Sequence, residues 1–106
     1  MITFEDFSKV NLRTGRIDDV RSHPQAEQLY LLTVDLGEKT IQLVAGLKKY
    51  YSPDELREKN IVVVTNLAPR KIRGELSEGM LLAAQSGDTA SILAPEKPLP
   101  PGSLIR

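Results

Sequence analysis

Two neighbouring stretches, each with an apolar residue at every second position, constrain the fold of this chain most. Residues 29–36, "LYLLTVDL", place four apolar side chains on one face of an extended strand: Tyr30, Leu32, Val34 and Leu36. Residues 40–47, "TIQLVAGL", do the same with Ile41, Leu43, Ala45 and Leu47. Because the short "GEK" turn separates them, the pair predicts two adjacent strands with one buried face.

Further strand patterns occupy most of the remaining chain. Residues 10–17 alternate with a change of phase at Gly15, where we expect a bulge or a sharp bend. "IVVVTNL" is apolar on both faces, and "GMLLAAQ" and "TASILAP" form two strands joined by Ser86-Gly87-Asp88. The proline-rich tail, residues 96–106, is expected to be extended and to lie at a sheet edge.

Two short helices interrupt these strands. Thr3 can cap a helical turn that ends at Phe7. "YSPDELREKN" carries a stronger signal, because Ser52 suits the N-cap, Pro53 the first helical position and Glu55 a capping box. Lys59 and Asn60 suit the end of this second helix.

The order of these elements predicts an all-β fold in one domain, residues 1–106. We expect an OB-fold, a five-stranded Greek-key barrel, with a short N-terminal helix, a short helix between strands 3 and 4, and extra C-terminal strands. An SH3-like barrel is the main alternative, and the capped helix before "IVVV" favours the OB-fold.

The composition excludes several classes of function. With no cysteine the chain has no disulfide and no thiolate chemistry, which favours an intracellular, cytoplasmic location. With one histidine we expect no metal site and no cofactor, and no apolar run approaches the roughly 20 residues of a membrane span. His23 precedes Pro24 and is expected to hydrogen-bond local backbone, and no partner for nucleophilic catalysis is recognisable. The chain itself is therefore predicted to be non-catalytic.

A local cluster of cations stands out against a net charge of zero. Residues 66–84, "NLAPRKIRGELSEGMLLAA", hold Arg70, Lys71 and Arg73 in what reads as a loop, and Gly74 lets the chain turn there. General nucleic-acid binders are usually basic, so any affinity for phosphate must come from this local patch. The charges alone fit a solvated hairpin loop equally well.

The residues that follow the cations also have two interpretations. Ser77 could hydrogen-bond a base edge or a phosphate, and Met80 could pack against a flipped or stacked base. Alternatively, Met80 is the first core residue of the fifth strand. The pattern alone favours this second interpretation.

The sequence resembles a known family over nearly its whole length. The segments "VNLRTGRI", "HPQAEQLYLLTVDLG", "LVAGLKKYYSPDEL", "VVVTNLAPRKIRGELSEGMLLAA" and "PPGSLI" occur in the order of the dimeric tRNA-binding OB domain. That domain is found at the C-terminus of many methionyl-tRNA synthetases and as free-standing bacterial tRNA-binding proteins. Related forms are the C-terminal part of eukaryotic synthetase cofactors and a bacterial secretion chaperone. The chain looks most like the C-terminal domain of a methionyl-tRNA synthetase.

The resemblance implies a non-catalytic module that binds tRNA by shape and backbone. Such a module raises the tRNA affinity of an attached or separate synthetase catalytic body, and it forms a homodimer. The alternative is a peptide-binding chaperone on the same dimeric fold. The "NL-P-K-RG-SEGM" motif places five residues of this chain on the tRNA-facing surface: Asn66, Lys71, Arg73, Ser77 and Met80.

Three further cations are candidates from charge and position. Arg70 lies within the basic segment, and Lys48 and Lys49 lie on the loop that enters the second helix. Two positions depart from the pattern of the family, which often has Asp where this chain has Glu27 and Ser where it has Ala45. Both look like positions that support the fold. The final "LPPGSLI" and the extra strands are expected to mediate dimerisation.

Overall fold

The computed structural model describes all 106 residues as an antiparallel barrel with two attached hairpins. The strands are β1 Leu12–Ser22, β2 Tyr30–Asp35, β3 Thr40–Ala45, β4 Asn60–Val64, β5 Arg70–Ile72, β6 Glu75–Ser77, β7 Met80–Leu81, β8 Ala83–Ser86, β9 Thr89–Ile92 and β10 Leu104–Ile105. The two helices are α1 Phe4–Phe7 and α2 Pro53–Leu56. Neither helix has the length or the apolar character to cross a membrane.

The main sheet has the strand order β3-β2-β1-β4-β7, and β10 pairs with the start of β1. Every paired strand in it is antiparallel. The sheet curls until β3 approaches β7, so the barrel is nearly closed. The helix α2 lies between β3 and β4, as the OB-fold prediction required. The all-β fold class is therefore confirmed.

The barrel interior is filled by the alternating residues of the central strands. Ile17, Leu32, Val34, Ile61 and Val63 have no solvent exposure. The predicted inward faces of β2 and β3 are confirmed, because each is buried in this core or packs against it. The core fixes the positions of the loops at both ends of the barrel.

Both predicted helix caps are present as reciprocal capping boxes. In α2 the Ser52 backbone N–H donates to the Glu55 carboxylate at 2.8 Å, and this hydrogen bond lowers the pKa of Glu55. The helix ends at Leu56, which corrects the expected end at Lys59 and Asn60. Arg57 already has extended backbone, with ψ of 134°, and Asn60 begins β4.

The bulge of β1 is not at the predicted glycine. The pairing of β1 with β2 shifts register between Ile17 and Asp19, beyond Gly15. Gly15 is instead required by packing, because a Cβ there would lie 2.8 Å from Cγ1 of Val34. The change of phase in the apolar pattern therefore marks a position where neighbouring strands pack too closely for a side chain, and not a bulge.

The segment "GMLLAAQ" forms two strands, not one. Met80 and Leu81 pair with β4 inside the barrel, whereas Ala83 to Ser86 form a separate hairpin with β9. The backbone of Leu82 joins both parts, since its N–H donates to Val62 and its carbonyl accepts from Leu93. The tail behaves as predicted, because Leu104 and Ile105 pair with the edge of β1.

Candidate functional site

The predicted basic loop is a β-hairpin, here called the basic hairpin, formed by β5, β6 and the turn Arg73–Gly74. Both turn residues have positive φ, 54° for Arg73 and 90° for Gly74, as in a type I′ turn. Gly74, which was expected to let the chain turn, occupies the second position of this tight turn between the two paired strands. The loop assignment is corrected to two short strands.

The basic hairpin lies in the connection between β4 and β7 and contacts the loop between β1 and β2. The His23 ring donates from Nε2 to the carbonyl of Ile72 at 3.0 Å, and Arg73 donates from Nη2 to the carbonyl of Gln25 at 3.2 Å. On the other side Gln42 of β3 donates from Nε2 to the carbonyl of Leu76 at 2.9 Å. The connection between β1 and β2 and the connection between β4 and β7 correspond to the loops with which OB-folds bind oligonucleotides.

The three cations of the basic hairpin point in different directions. Arg70 and Ile72 line a groove between the hairpin and the barrel. Lys71 alternates to the opposite face, across from Leu76, and Arg73 occupies the turn. The cations therefore surround the hairpin instead of forming a single row.

These three cations have no acidic partner within 4.0 Å. The five ion pairs of the chain are formed by cations elsewhere: Lys9, Arg16, Arg21 and Arg57. Outside the basic hairpin, the cations without an acidic partner are scattered: Arg13, Lys39, Lys48, Lys49, Lys59, Lys97 and Arg106. The local field of the basic hairpin favours an anionic ligand at this end of the barrel.

The apolar groove beside the hairpin has a volume of about 510 Å³. Its lining is mainly apolar and consists of Val44, Leu67, Ala68, Arg70, Ile72, Ser77, Gly79 and Met80. Met80 is 48% exposed although it is the first residue of β7. The interpretation of Met80 as a core residue is therefore excluded, and its thioether is available to a ligand.

Ser77 lines the groove but is only 5% exposed. Its hydroxyl accepts a hydrogen bond from the N–H of Val44 at 3.1 Å and donates to the carbonyl of Gly79 at 3.1 Å. Both bonds connect backbone segments of the barrel. The Ser77 hydroxyl thus already has an internal donor and an internal acceptor.

Glu78 completes the closure of the barrel next to Ser77. Its carboxylate accepts from the N–H of Gln42 at 3.0 Å, and its own N–H donates to the carbonyl of Gln42 at 2.8 Å. Gly79 packs so closely here that a Cβ would lie 2.8 Å from the carbonyl oxygen of Val64. The sequence "SEGM" therefore joins β3 to β7, mostly through side chains.

Asn66 holds the N-terminal segment against the end of β4. Its Oδ1 accepts from the N–H of Asn11 at 2.8 Å, and its Nδ2 donates to the carbonyl of Lys9 at 2.7 Å. The residue remains exposed. It is adjacent in the chain to Leu67, which lines the apolar groove, but Asn66 itself does not.

Lys48 and Lys49 lie between β3 and α2. Lys48 donates from Nζ to the hydroxyl of Ser22 at 3.0 Å, and it lies 5.7 Å from the ring centroid of Tyr30. Because Ser22 precedes His23, Lys48 borders the loop that contacts the basic hairpin. Lys49 is exposed and lies 5.8 Å from the ring centroid of Tyr50.

The structure thus brings together part of the predicted residue set. Arg70, Ser77 and Met80 share the apolar groove, and Lys71 and Arg73 complete the hairpin beside it. The prediction that His23 bonds local backbone is confirmed, because its Nδ1 accepts from the N–H of Gln25 at 2.9 Å. The sequence analysis missed the long-range bonds by which His23, Gln25 and Gln42 attach the hairpin to the barrel. Their partners lie 34 to 49 residues away along the chain, so no local pattern reports them.

The arrangement suits a ligand that has both charge and flat apolar surface. Guanidinium and ammonium groups bind phosphate through charge-assisted hydrogen bonds, and an exposed thioether can contact an aromatic face. No group of three or more His, Cys, Asp or Glu side chains is arranged to hold a metal ion. Phosphates of a nucleotide backbone and the faces of unstacked bases are groups of these two kinds.

Comparison with protein families gives a match over most of the chain. The family model described as "Putative tRNA binding domain" matches residues 12–104. The methionine–tRNA ligase of Pyrococcus horikoshii is 50% identical over 105 residues, which is 99% of this chain and 14% of the ligase. The chain therefore spans about a seventh of the length of this relative.

Solved structures give close matches to the whole fold. A protein related to methionyl-tRNA synthetase from Pyrococcus horikoshii superposes with a TM-score of 0.93 at 26% identity, covering 100% of this chain and 98% of that one. The CsaA chaperone protein of Picrophilus torridus gives a TM-score of 0.93 at 34% identity and covers both chains completely. The similarity thus includes proteins described by two different functions.

Proposed function

The chain belongs to the tRNA-binding domain family, and on that premise we propose that it binds tRNA with the basic hairpin and the apolar groove. The observation that carries the proposal is the position of Arg70 and Met80 in one groove beside two unpaired cations. This groove lies where the two binding connections of an OB-fold meet. The domain acts as a binding module without catalysis of its own.

Each candidate residue takes a role that fits its surroundings. Arg70, Lys71 and Arg73 contact phosphates, and Lys48 and Lys49 extend the positive surface beyond the loop between β1 and β2. Met80 packs against a base that is not stacked in a helix. Asn66 and Ser77 support the surface from below, because their polar atoms already hold the backbone on which it is built.

The module raises the tRNA affinity of a methionyl-tRNA synthetase catalytic body in the cytoplasm. Support comes from the ligase relatives, in which the matching region is a small part of a much longer protein. A tethered or associated module keeps tRNA at a high effective concentration near the catalytic body. Recognition by shape and backbone is sufficient for this role, because the catalytic body reads the tRNA identity.

Charge-matched variants test the binding surface. The double variant Arg70→Gln, Lys71→Gln removes two cations from the basic hairpin, and Lys39→Gln, Lys97→Gln removes two exposed cations elsewhere. Binding of bulk tRNA is measured by titration at several salt concentrations. The hairpin variant is expected to bind at least about tenfold more weakly, with a salt slope reduced by one to two units.

The control variant is expected to bind within about twofold of the unchanged chain, since surface charges away from the site contribute little. Equal losses in both variants would show a diffuse charge effect and remove the hairpin from the proposal. Absence of tRNA binding by the unchanged chain would refute the proposed function itself.

We also propose that the chain forms a homodimer through an N-terminal apolar patch. The patch includes Leu104 and Ile105 of the "LPPGSLI" end that was expected to mediate dimerisation, but not the extra strands β8 and β9. This patch consists of Phe4, Phe7, Val10, Leu12, Leu104 and Ile105. Phe4 is 84% exposed and Phe7 is 44% exposed. Monomeric proteins rarely leave large contiguous apolar patches in water, and a second copy covers this one symmetrically.

A peptide-binding chaperone is the second candidate function. It is favoured by the 34% identity to the CsaA chaperone protein and by the apolar lining of the groove. In this case an unfolded, uncharged peptide binds in the groove and tRNA does not. Peptide binding that is insensitive to salt, together with no displacement of peptide by tRNA, would favour the chaperone.

A further inference from the structure

We propose that His23 is a positioning residue for tRNA binding, because its ring holds the basic hairpin at a fixed orientation to the barrel. The inference rests on the proposed function of that hairpin. His23 lies on the loop between β1 and β2 and touches neither the apolar groove nor any of the exposed cations. It therefore acts through the hairpin and not on the ligand.

The two ring nitrogens of His23 have different, fully determined hydrogen bonds. The N–H of Gln25 donates to Nδ1 at 2.9 Å, so Nδ1 is an acceptor and carries no proton. The single ring proton is then on Nε2, which donates to the carbonyl of Ile72 at 3.0 Å. With 5% exposure the ring has little access to water that could replace either partner.

The basic hairpin depends on such attachments because its own pairing is short. Each of its strands has three residues, and an isolated two-stranded hairpin of this size is marginally stable in water. Its orientation is fixed by Gln42 at Leu76 on one side and by His23 at Ile72 on the other. Without the His23 bond, this side of the hairpin is held to the loop between β1 and β2 only by the exposed bond from Arg73 to Gln25.

The position of His23 couples three candidate cations. Ile72 lies between Lys71 and Arg73 in the sequence, so the ring bond fixes the part of the strand that carries both. Arg73 donates back to Gln25, the same residue whose N–H the ring holds. Lys48 donates to Ser22, immediately before the histidine. Spacing between the hairpin and Lys48 is therefore set by the residues around His23.

Two variants separate the two hydrogen bonds of the ring. In His23→Asn the side-chain oxygen replaces Nδ1 as acceptor for Gln25, but the shorter side chain does not reach Ile72. In His23→Gln the amide nitrogen lies about as far from the backbone as Nε2, so it can donate to Ile72, while the local acceptor is lost. Both variants are titrated with bulk tRNA, and their free energies of unfolding are measured by urea denaturation.

His23→Asn is expected to bind tRNA about three- to tenfold more weakly, and His23→Gln to recover affinity to within about twofold of the unchanged chain. If the role of His23 is merely structural, the affinity for tRNA is instead expected to follow the free energy of unfolding in both variants. Equal affinity losses, or no loss in His23→Asn, overturn the inference. The proposed function still stands in either case as long as the unchanged chain binds tRNA.

Nuclear magnetic resonance of the unchanged chain gives an independent check. The chain has one histidine, so every imidazole signal belongs to His23. The expected result is a slowly exchanging ring proton on Nε2, with a nuclear Overhauser effect to protons of the hairpin. A ring proton on Nδ1, or one in fast exchange with water, contradicts the bond to Ile72.

Discussion

At the scale of single residues, Ser77 has a hydroxyl whose hydrogen bonds are both internal to the fold. It satisfies the N–H of Val44 and the carbonyl of Gly79 at the point where the barrel closes. Removal of the hydroxyl leaves two backbone groups without these partners at a part-buried place. Unsatisfied buried groups destabilise a fold by about 1–3 kcal/mol.

Ser77→Ala is therefore expected to lower the free energy of unfolding by about 1–3 kcal/mol in urea denaturation. Ser91→Ala is the matched control, because Ser91 is an exposed strand residue whose hydroxyl makes no hydrogen bond, and a change within about 0.5 kcal/mol is expected. Unchanged stability in Ser77→Ala, combined with weaker tRNA binding, would show a direct contact with tRNA instead.

The sequence could predict which residues face the core but not which polar residues support the site. Leu32 and Val34 follow a period of two that any strand imposes, so their burial is a local property. Besides bonds to backbone groups close in sequence, the side chains of Ser77, Asn66 and His23 bond partners between 33 and 57 residues away. Their roles depend on which strands meet in space, which no local pattern contains.

At the scale of elements, the turn of the basic hairpin places a cation where the backbone favours a different residue. Arg73 has φ of 54°, a region that Asn and Gly occupy more easily than Arg. Asn followed by Gly is also the preferred pair for a type I′ turn. Arg73 thus supplies a positive charge at a position where the backbone conformation favours Asn or Gly.

Arg73→Asn separates these two effects. We expect equal or slightly greater thermal stability, together with tRNA binding that is about three- to tenfold weaker because one cation and its bond to Gln25 are lost. Thermal denaturation and tRNA titration check the two parts. A drop in stability comparable to the loss of affinity would mean that the bond to Gln25 matters more than the charge.

The predicted elements differ from the observed ones mainly where strands change partner. "GMLLAAQ" reads as one strand because nothing in its apolar pattern marks Leu82 as the residue where the chain leaves the barrel. The basic segment was predicted to be a loop because β5 has only three residues, which is too short to show an alternation of polar and apolar residues. By contrast, the N-cap at Thr3 and the capping box at Ser52 involve residues within four positions, and both predictions were confirmed.

At the scale of the whole molecule, the two proposed surfaces are separated. The N-terminal apolar patch lies on α1 and β10, at the start of β1, whereas the basic hairpin contacts the loop that follows the end of β1. The proposed association through the patch would therefore leave both copies of the proposed tRNA-binding surface accessible. Such a dimer would present two of these surfaces to one tRNA or to two.

Dimerisation is tested with Phe4→Ser, which removes an exposed apolar side chain without disturbing the core. At micromolar concentration the unchanged chain is expected to have twice the monomer mass of 11.7 kDa in analytical ultracentrifugation. Phe4→Ser is expected to shift it towards the monomer. Leu76→Ser, an exposed leucine on the basic hairpin, is the control and should leave the mass unchanged. A monomeric unchanged chain would refute the dimer.

The closure of the barrel by Ser77 and Glu78 has a consequence for how the molecule opens. Elsewhere strands are joined by ladders of backbone bonds, but β3 is joined to the segment between β6 and β7 by the side chains of Ser77 and Glu78 and one backbone bond from Glu78 to Gln42. Fluctuations that break the ring should start there, while β1, β2 and β4 remain paired. Residues 77–80 continue directly from the basic hairpin. A bound ligand that immobilises the hairpin is therefore also expected to stabilise the closed barrel. Binding and mechanical integrity of the barrel are thus linked through four consecutive residues, 77–80.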